Sequence, residues 1–176
     1  MKNYLVITAL GSDRPGIVDE LANYITEHEC NIEDSRMSVL GGEFAIMLLV
    51  SGNWNKMAKM QDQVPALEQK LDMSITTKAT ELRQRPDKTL PYAAEVISLD
   101  NPGIVSKLAN FFATRNINIE EMTTSSYAAA HTGTPMFSVH IEIGIPASKS
   151  IAELRESFMD FCDNLNKDSV LEPLKS

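Results

Sequence analysis

The stretch from Asp13 to Glu33, DRPGIVDELANYITEHECNIE, returns 87 residues later as DNPGIVSKLANFFATRNINIE, from Asp100 to Glu120. Eleven of the twenty-one positions are identical: Asp13/Asp100, the run Pro15–Val18 against Pro102–Val105, the run Leu21–Asn23 against Leu108–Asn110, and the run Asn31–Glu33 against Asn118–Glu120. A repeat at one fixed offset has to be read before anything else, because each copy must then fold in the same way. A length of 176 residues suits two small domains, and a 43% hydrophobic content is enough to fill two cores.

Each copy reads as the same succession of elements. NYLVITAL (Asn3–Leu10) is a β-branched, partly alternating run that predicts a strand, ended by the turn residues GSD. A helix follows, with a one-sided apolar stripe at Ile17, Val18, Leu21, Tyr24 and Ile25, matched by Ile104, Val105, Leu108, Phe111 and Phe112. NIEDSRMSVL and EFAIMLLVSG predict two strands joined at Gly41-Gly42, a two-residue signal for a hairpin with positive φ. In the second copy the loop between INIEEMTTSSY and PMFSVHIEIGI is the longer AAAHTGT. The second helices share a stepping of 3, 4, 3, 4, through Met57, Met60, Val64, Leu67 and Leu71 and through Ile151, Leu154, Phe158, Phe161 and Leu165. Pro65 removes a backbone donor and predicts a break near Gln63–Val64. Short strands at Met73–Lys78 and Ser169–Leu174 close the copies, so the order is βαββαβ, twice.

The polar segment TELRQRPDKTLP, with two prolines and no apolar period, reads as the connection. The expected division is a first domain over 1–79, a linker over 80–90 and a second domain over 91–176. Twenty-four acidic against sixteen basic side chains give a formal charge of −8 and a pI near 4.9, which repels a phosphate backbone and argues against direct nucleic-acid binding. No apolar run approaches the roughly 18 residues of a membrane helix, and no signal-peptide pattern precedes the first strand, so a cytoplasmic location is expected. Cys30 and Cys162 have no metal-ligand spacing and are expected as reduced thiols in packed positions.

The duplicated Asp-X-Pro-Gly carries the chemistry. Proline suits the first turn of a helix and pushes the residue before it to extended geometry, so the helices are expected to begin at or just before Pro15 and Pro102. Asp13 and Asp100 are the expected caps, with Asn101 an alternative in the second copy. Glycine shields nothing, so the amides of Gly16 and Ile17, and of Gly103 and Ile104, would stand open at the positive end of a helix dipole, where a carboxylate binds. An aspartate beside them could meet an ammonium; the two charges together describe a free amino acid. Spacing alone favours a plain strand-to-helix connection with good capping chemistry, and close helix–sheet contact is another reason for the glycine.

A βαββαβ unit with GSDRPGIVDELANYITEHECNIED between its first two strands resembles the ACT domain, a ferredoxin-like module that binds amino acids in regulatory proteins. The tandem pair, with little else in the chain, is similar to the glycine cleavage system transcriptional repressor family; the resemblance covers roughly Lys2–Lys78 and Leu90–Leu174. It implies an α+β fold of two ACT domains, each an antiparallel four-stranded sheet with two helices on one face. It further implies a cytoplasmic accessory regulator that responds to glycine and acts through a DNA-binding activator without touching DNA. Carried over position by position, the ligand loops are Asp13, Arg14, Pro15, Gly16 and Ile17, and Asp100, Asn101, Pro102, Gly103 and Ile104. Asn31 and Asn118 match a recurrent Asn-Ile element, as turn residues or as ligand contacts. Arg14 against Asn101 means that the two loops offer unequal chemistry. A regulatory pair serving another amino acid or another partner enzyme is the alternative.

Other classes find less support. His28, His131 and His140 are scattered and predict no metal site, and no cofactor signature is present. An acylphosphatase-like enzyme needs an Arg-bearing phosphate loop with a positioned Asn, of which Arg14 is a weak echo, and no nucleophile–base pair is in view. An RNA-recognition motif needs aromatics on its central strands, where this chain is mostly aliphatic. In EFAIMLLV both alternating sets are apolar, which predicts a strand covered on both faces, whereas MFSVHIEI alternates with Ser138, His140 and Glu142. The first copy's open face is therefore expected to pack on the other copy or on a second chain, a homo-oligomer through the sheets. Trp54, after Gly52-Asn53, is expected as a partly exposed anchor at a helix start.

Overall fold

The computed structural model describes residues 2–82, 89–99 and 102–174. The chain divides into two compact units, Met1–Arg83 and Gln84–Ser176. Of the linker expected over 80–90, residues 83–88 lie outside the described residues; Thr80 ends one strand, and Thr89 and Leu90 open the next.

The first unit runs β1 (Asn3–Ser12), α1 (Ile17–Glu27), β2 (Asn31–Leu40), β3 (Glu43–Gly52), α2 (Trp54–Asp62), α3 (Val64–Leu71) and β4 (Met73–Thr80). Its strands lie in the order β2-β3-β1-β4, all antiparallel. The strand β1 continues two residues past the expected stop, through Gly11 and Ser12. Packing explains the extension: a Cβ on Gly11 would lie 2.8 Å from Met73 Cγ and 2.9 Å from the Asp72 carbonyl, so glycine lets β1 lie against the start of β4. The hairpin turn uses positive φ only at Gly41, at 65°.

Side chains alternate across the sheet, and the inward set meets the helices. Leu5, Ile7 and Ala9 of β1 and Phe44, Ile46, Leu48 and Val50 of β3 are buried with Ile17, Leu21 and Ile25 of α1 and with all five residues of the 3, 4, 3, 4 series. Val18, and Val105 at the matching position, remain largely exposed; each lies about 100° around the helix from the buried isoleucine before it. Pro65 breaks the second helix as expected: α2 ends at Asp62, Gln63 intervenes, and α3 starts with the proline in its first turn. The Tyr24 hydroxyl donates to the Met60 carbonyl at 2.5 Å, using an acceptor near the end of α2, and desolvation pushes its pKa up to about 12.

The second unit runs β5 (Thr89–Leu99), α4 (Ile104–Ala113), β6 (Asn118–Ala128), β7 (Pro135–Pro146), α5 (Ile151–Asn164) and β8 (Asp168–Pro173), in the order β6-β7-β5-β8. With no proline inside, α5 is continuous and is capped by Ser150, whose hydroxyl accepts from the Glu153 amide. Its core is more aromatic, with Phe111, Phe112 and Phe158 buried and the rings of Phe112 and Phe158 stacked 5.5 Å apart. Both cysteines are free and buried. Burial raises both thiol pKa values.

The repeat extends to irregular details. The chain leaves α1 through Glu29 at φ 53° and α4 through Asn116 at φ 53°, and the amides of Cys30 and Ile117 reach back to the carbonyls of Ile25 and Phe112. A bulge follows in both, between Ile32 and Asp34 and between Ile119 and Glu121. In β3, the helices of the first unit cover one face; on the other, Met47 is 49% exposed, and Ala45 and Leu49 are half-buried. The cover expected on that side, from the other copy or a second chain, is not supplied by the elements of the first unit.

Candidate ligand site at the two helix tips

Both helices after the first strand begin later than the prolines suggest. The N-terminal boundary residue of α1 is Gly16, at φ 87° and ψ −7°, and that of α4 is Gly103, at φ 85° and ψ 4°. This left-handed backbone costs an L-residue with a Cβ roughly 1–2 kcal/mol, so the glycine is required by conformation, beyond the bare amide it supplies. The carbonyls of Gly16 and Gly103 accept the first helical bonds, from Glu20 and Lys107, each at 3.0 Å.

Asp13 does not cap the helix. It is exposed, and its own amide donates to the Gly42 carbonyl at 3.3 Å, which ties the loop to the β2–β3 hairpin. The reason is geometric: with the boundary at Gly16, Asp13 lies three residues outside it, too far for the capping bond expected when the helix was placed at Pro15. Asp100 and Asn101 lie outside the described residues.

Glycine has no side chain to cap with, so the first-turn amides depend on other groups. That of Ile17 makes a long 3.5 Å bond to the Arg14 carbonyl. Ile17 and Ile104 are buried and anchor the tips to the cores, while Pro15, Gly16, Pro102 and Gly103 are exposed. A Cβ built on either glycine meets no atom of the described residues within 4 Å, so these leave the space beside each tip open. A small anion could settle there on the N–H groups and the positive end of the dipole.

Arg14 is a feature of the first tip. Its Nη1 donates to Glu20 Oε1 at 2.6 Å, folding the guanidinium over the first turn of α1. The hydrogen bond from Arg14 holds the Glu20 carboxyl below its usual range, and the same bond raises the Arg14 pKa. The position of Glu20 is taken by Lys107 in the second copy, so that tip lacks the carboxylate half of the pair.

Asn31 and Asn118 are not brought to these tips. Asn31 opens β2 opposite Ser51, whereas Leu40, at the other end of β2, lies beside the hairpin that holds Asp13. Ten residues of strand separate the two places, roughly 30 Å. Asn118 likewise opens β6, and its side chain donates to the neighbouring Ile119 carbonyl at 3.2 Å. Within one unit, no single small molecule spans both places.

Some polar structure was missed in the sequence. The bulged Glu33 accepts from Ser51 Oγ at 2.5 Å and from Lys2 Nζ at 2.9 Å, and both bonds depress its pKa. His140 stands 2.6 Å from Glu95 and 3.6 Å from Glu142. Only strand register could reveal that pairing, since 45 residues separate His140 from Glu95. A cleft of about 460 Å³ in the first unit, lined by Lys2, Tyr4, Trp54, Met57 and Leu82 among others, lies away from the tip. Trp54 there is 68% exposed, more open than an anchoring role predicts. Among the described residues no group of His, Cys, Asp and Glu is arranged to hold a metal, and no helix is long and apolar enough to cross a membrane.

Comparison with known proteins agrees with this architecture. Residues 3–78 match the ACT domain family. The glycine cleavage system transcriptional repressor of Escherichia coli (strain K12) is 34% identical over 165 residues, 94% of this chain and 87% of that protein, and the repressor of Shigella flexneri gives the same figures. A crystal structure provisionally described as a glycine cleavage system transcriptional repressor superposes with a TM-score of 0.76 at 29% identity, covering 100% of this chain and 99% of that one. A protein of unknown role from Galdieria sulphuraria reaches a TM-score of 0.78 at 26% identity, over 99% of this chain and 100% of its own. On this full-length likeness, and on two ferredoxin-like ACT units that repeat down to their bulges, the chain belongs to the glycine cleavage system transcriptional repressor family.

Proposed function

We propose that the chain is an amino-acid-responsive regulator of the glycine cleavage system: a cytoplasmic accessory repressor that senses glycine at its helix tips and signals by protein contact. The observation that carries the reading is the pair of glycine-bounded helix starts, each open to solvent, in a chain whose relatives are named as repressors of that system. The ligand carboxylate sits on the first-turn amides, and Asp13, or Asp100 in the second copy, meets the ammonium. Arg14 and Asn101 make the two tips unequal. Asn31 and Asn118 open the second strands, away from the tip of their own unit. A chain of net charge −8 works through a DNA-binding activator protein and does not bind the DNA itself.

Signalling follows from differential affinity. A ligand held more tightly by one arrangement of the protein shifts the population toward it, and with it the surface offered to the activator. The chain catalyses no reaction in this reading, and copies associate through their sheets. Calorimetry and thermal unfolding across the twenty amino acids test the ligand: glycine at about 100 times its Kd should stabilise the native state by roughly 2.7 kcal/mol. If none of the twenty shifts the midpoint, the sensing function is lost and a duplicated scaffold remains. Co-purification of a DNA-binding partner, with and without glycine, tests the output.

A further inference from the structure

The two sheets share a backbone but not an open face. Strand pairing puts Met47 between Thr8 and Arg36, and the same place in the second unit holds His140, between Glu95 and Thr123. Leu49, between Val6 and Asp34, is matched by Glu142, between Ala93 and Glu121. Lys78, beside Val6, is matched by Glu172, beside Ala93. The first face thus has an apolar centre, while the second has charge at its centre.

Two properties suit the first face to meet itself. Large apolar groups lie open on it: Leu10 is 52% exposed, Leu40 72% and Met47 49%, and Val6, Met47 and Leu49 line a shallow depression of about 240 Å³. Its charges nearly balance, with Lys2 paired to Glu33, Arg36 paired to Asp34, Lys78 and Glu43 on the same side, and Glu81 at the edge of the depression. A twofold axis brings identical patches together, and a patch so close to neutral can do so with little repulsion even in an acidic chain. The second face is less suited, because it carries Glu95 and Glu142 about His140 at its centre, where the first has Met47 and Leu49.

We propose that the open face of the first sheet is a self-association surface, and that its occupant is the same face of a second copy of this chain, packed about a twofold axis near Met47. The proposal narrows the self-association in the reading above to one face, and rests on it. Four strands about 4.8 Å apart and eight residues long at about 3.3 Å each give a face of roughly 500 Å². Two such faces bury about 1,000 Å², the size of a reversible pair and not of an obligate dimer. A carboxylate placed at the centre would have to be desolvated beside Arg36, a guanidinium already held by Asp34, at a cost that weakens the pair.

Sedimentation velocity of the full chain between about 5 and 500 µM should show a monomer–dimer equilibrium, weakened at least about tenfold by Met47→Glu and unchanged by Val170→Glu on the second sheet's open face. If Met47→Glu loses its cooperative unfolding transition, Leu49→Lys takes its place. As a second measurement, Met47→Cys should cross-link to a disulfide dimer under mild oxidation, faster than Val170→Cys, since both native cysteines are buried. A chain monomeric throughout overturns both the face and the self-association reading and leaves amino-acid binding to its own calorimetric test. A dimer indifferent to Met47→Glu, or equally sensitive to Val170→Glu, overturns the face alone.

Discussion

His140 and Glu95 meet across the β5–β7 ladder with Nδ1 and a carboxylate oxygen 2.6 Å apart. The hydrogen bond to Glu95 raises the His140 pKa above its usual value, and Glu142 adds to the rise against some desolvation. A histidine with a higher pKa folded than unfolded contributes stability that is complete below the unfolded value, about 6.5, and is lost as pH rises through the folded value. The second unit should therefore lose this contribution on going upward from pH 6.5. Titration of the His140 ring by NMR should give a value above those of ordinary histidines, and Glu95→Gln should lower it; an unchanged midpoint in that variant would contradict the pairing.

Gly16 and Gly103 should resist replacement although both are exposed. Each Gly→Ala variant forces a Cβ onto left-handed backbone, with an expected loss of about 1–2 kcal/mol by urea unfolding, although no atom stands in the way of the new methyl group. Gly42, in equally open space but without positive φ, should tolerate alanine within about 0.5 kcal/mol.

Gly52 poses the opposite problem. A Cβ there would fall 2.7 Å from Cys30 Sγ and 3.2 Å from Met57 Cγ, so Gly52→Ala should cost about 1–3 kcal/mol through overpacking. Combining it with Cys30→Ala removes the obstructing sulfur. The double variant should be more stable than the sum of the two single changes predicts, a coupling that a thermodynamic cycle reads directly.

Phe158→Ala should remove about 3–5 kcal/mol from the second core, where this ring packs on Phe111 and Phe112. The first unit has its own core, so the expected outcome is two separate transitions in thermal unfolding, the earlier belonging to the second unit. A single transition, shifted as a whole, would show that the units unfold together.

Removing the Arg14–Glu20 pair separates a structural role from a ligand role. Both side chains keep about a third of their surface open to solvent, at 39% and 32%, so Glu20→Gln should leave the thermal midpoint nearly unchanged. With the guanidinium released from its own carboxylate, a bound amino-acid carboxylate should gain affinity, read by calorimetry against the parent chain.

The sequence by itself determined the repeat, the βαββαβ order, the break at Pro65 and the inward stripes, because these depend on local chemistry: periodicity, a missing donor, a branched side chain. It also marked Pro15-Gly16 and Pro102-Gly103 as the places where chemistry would gather. What it placed wrongly there was the helix start, by two residues, because φ at Gly16 is set by how Ile17 must reach the core and not by the proline before it. Only the tertiary structure separated Asn31 from Asp13, brought His140 to Glu95 and left Met47 uncovered. Those relations come from strand register, which joins residues far apart in the chain and leaves no mark on the composition of either segment.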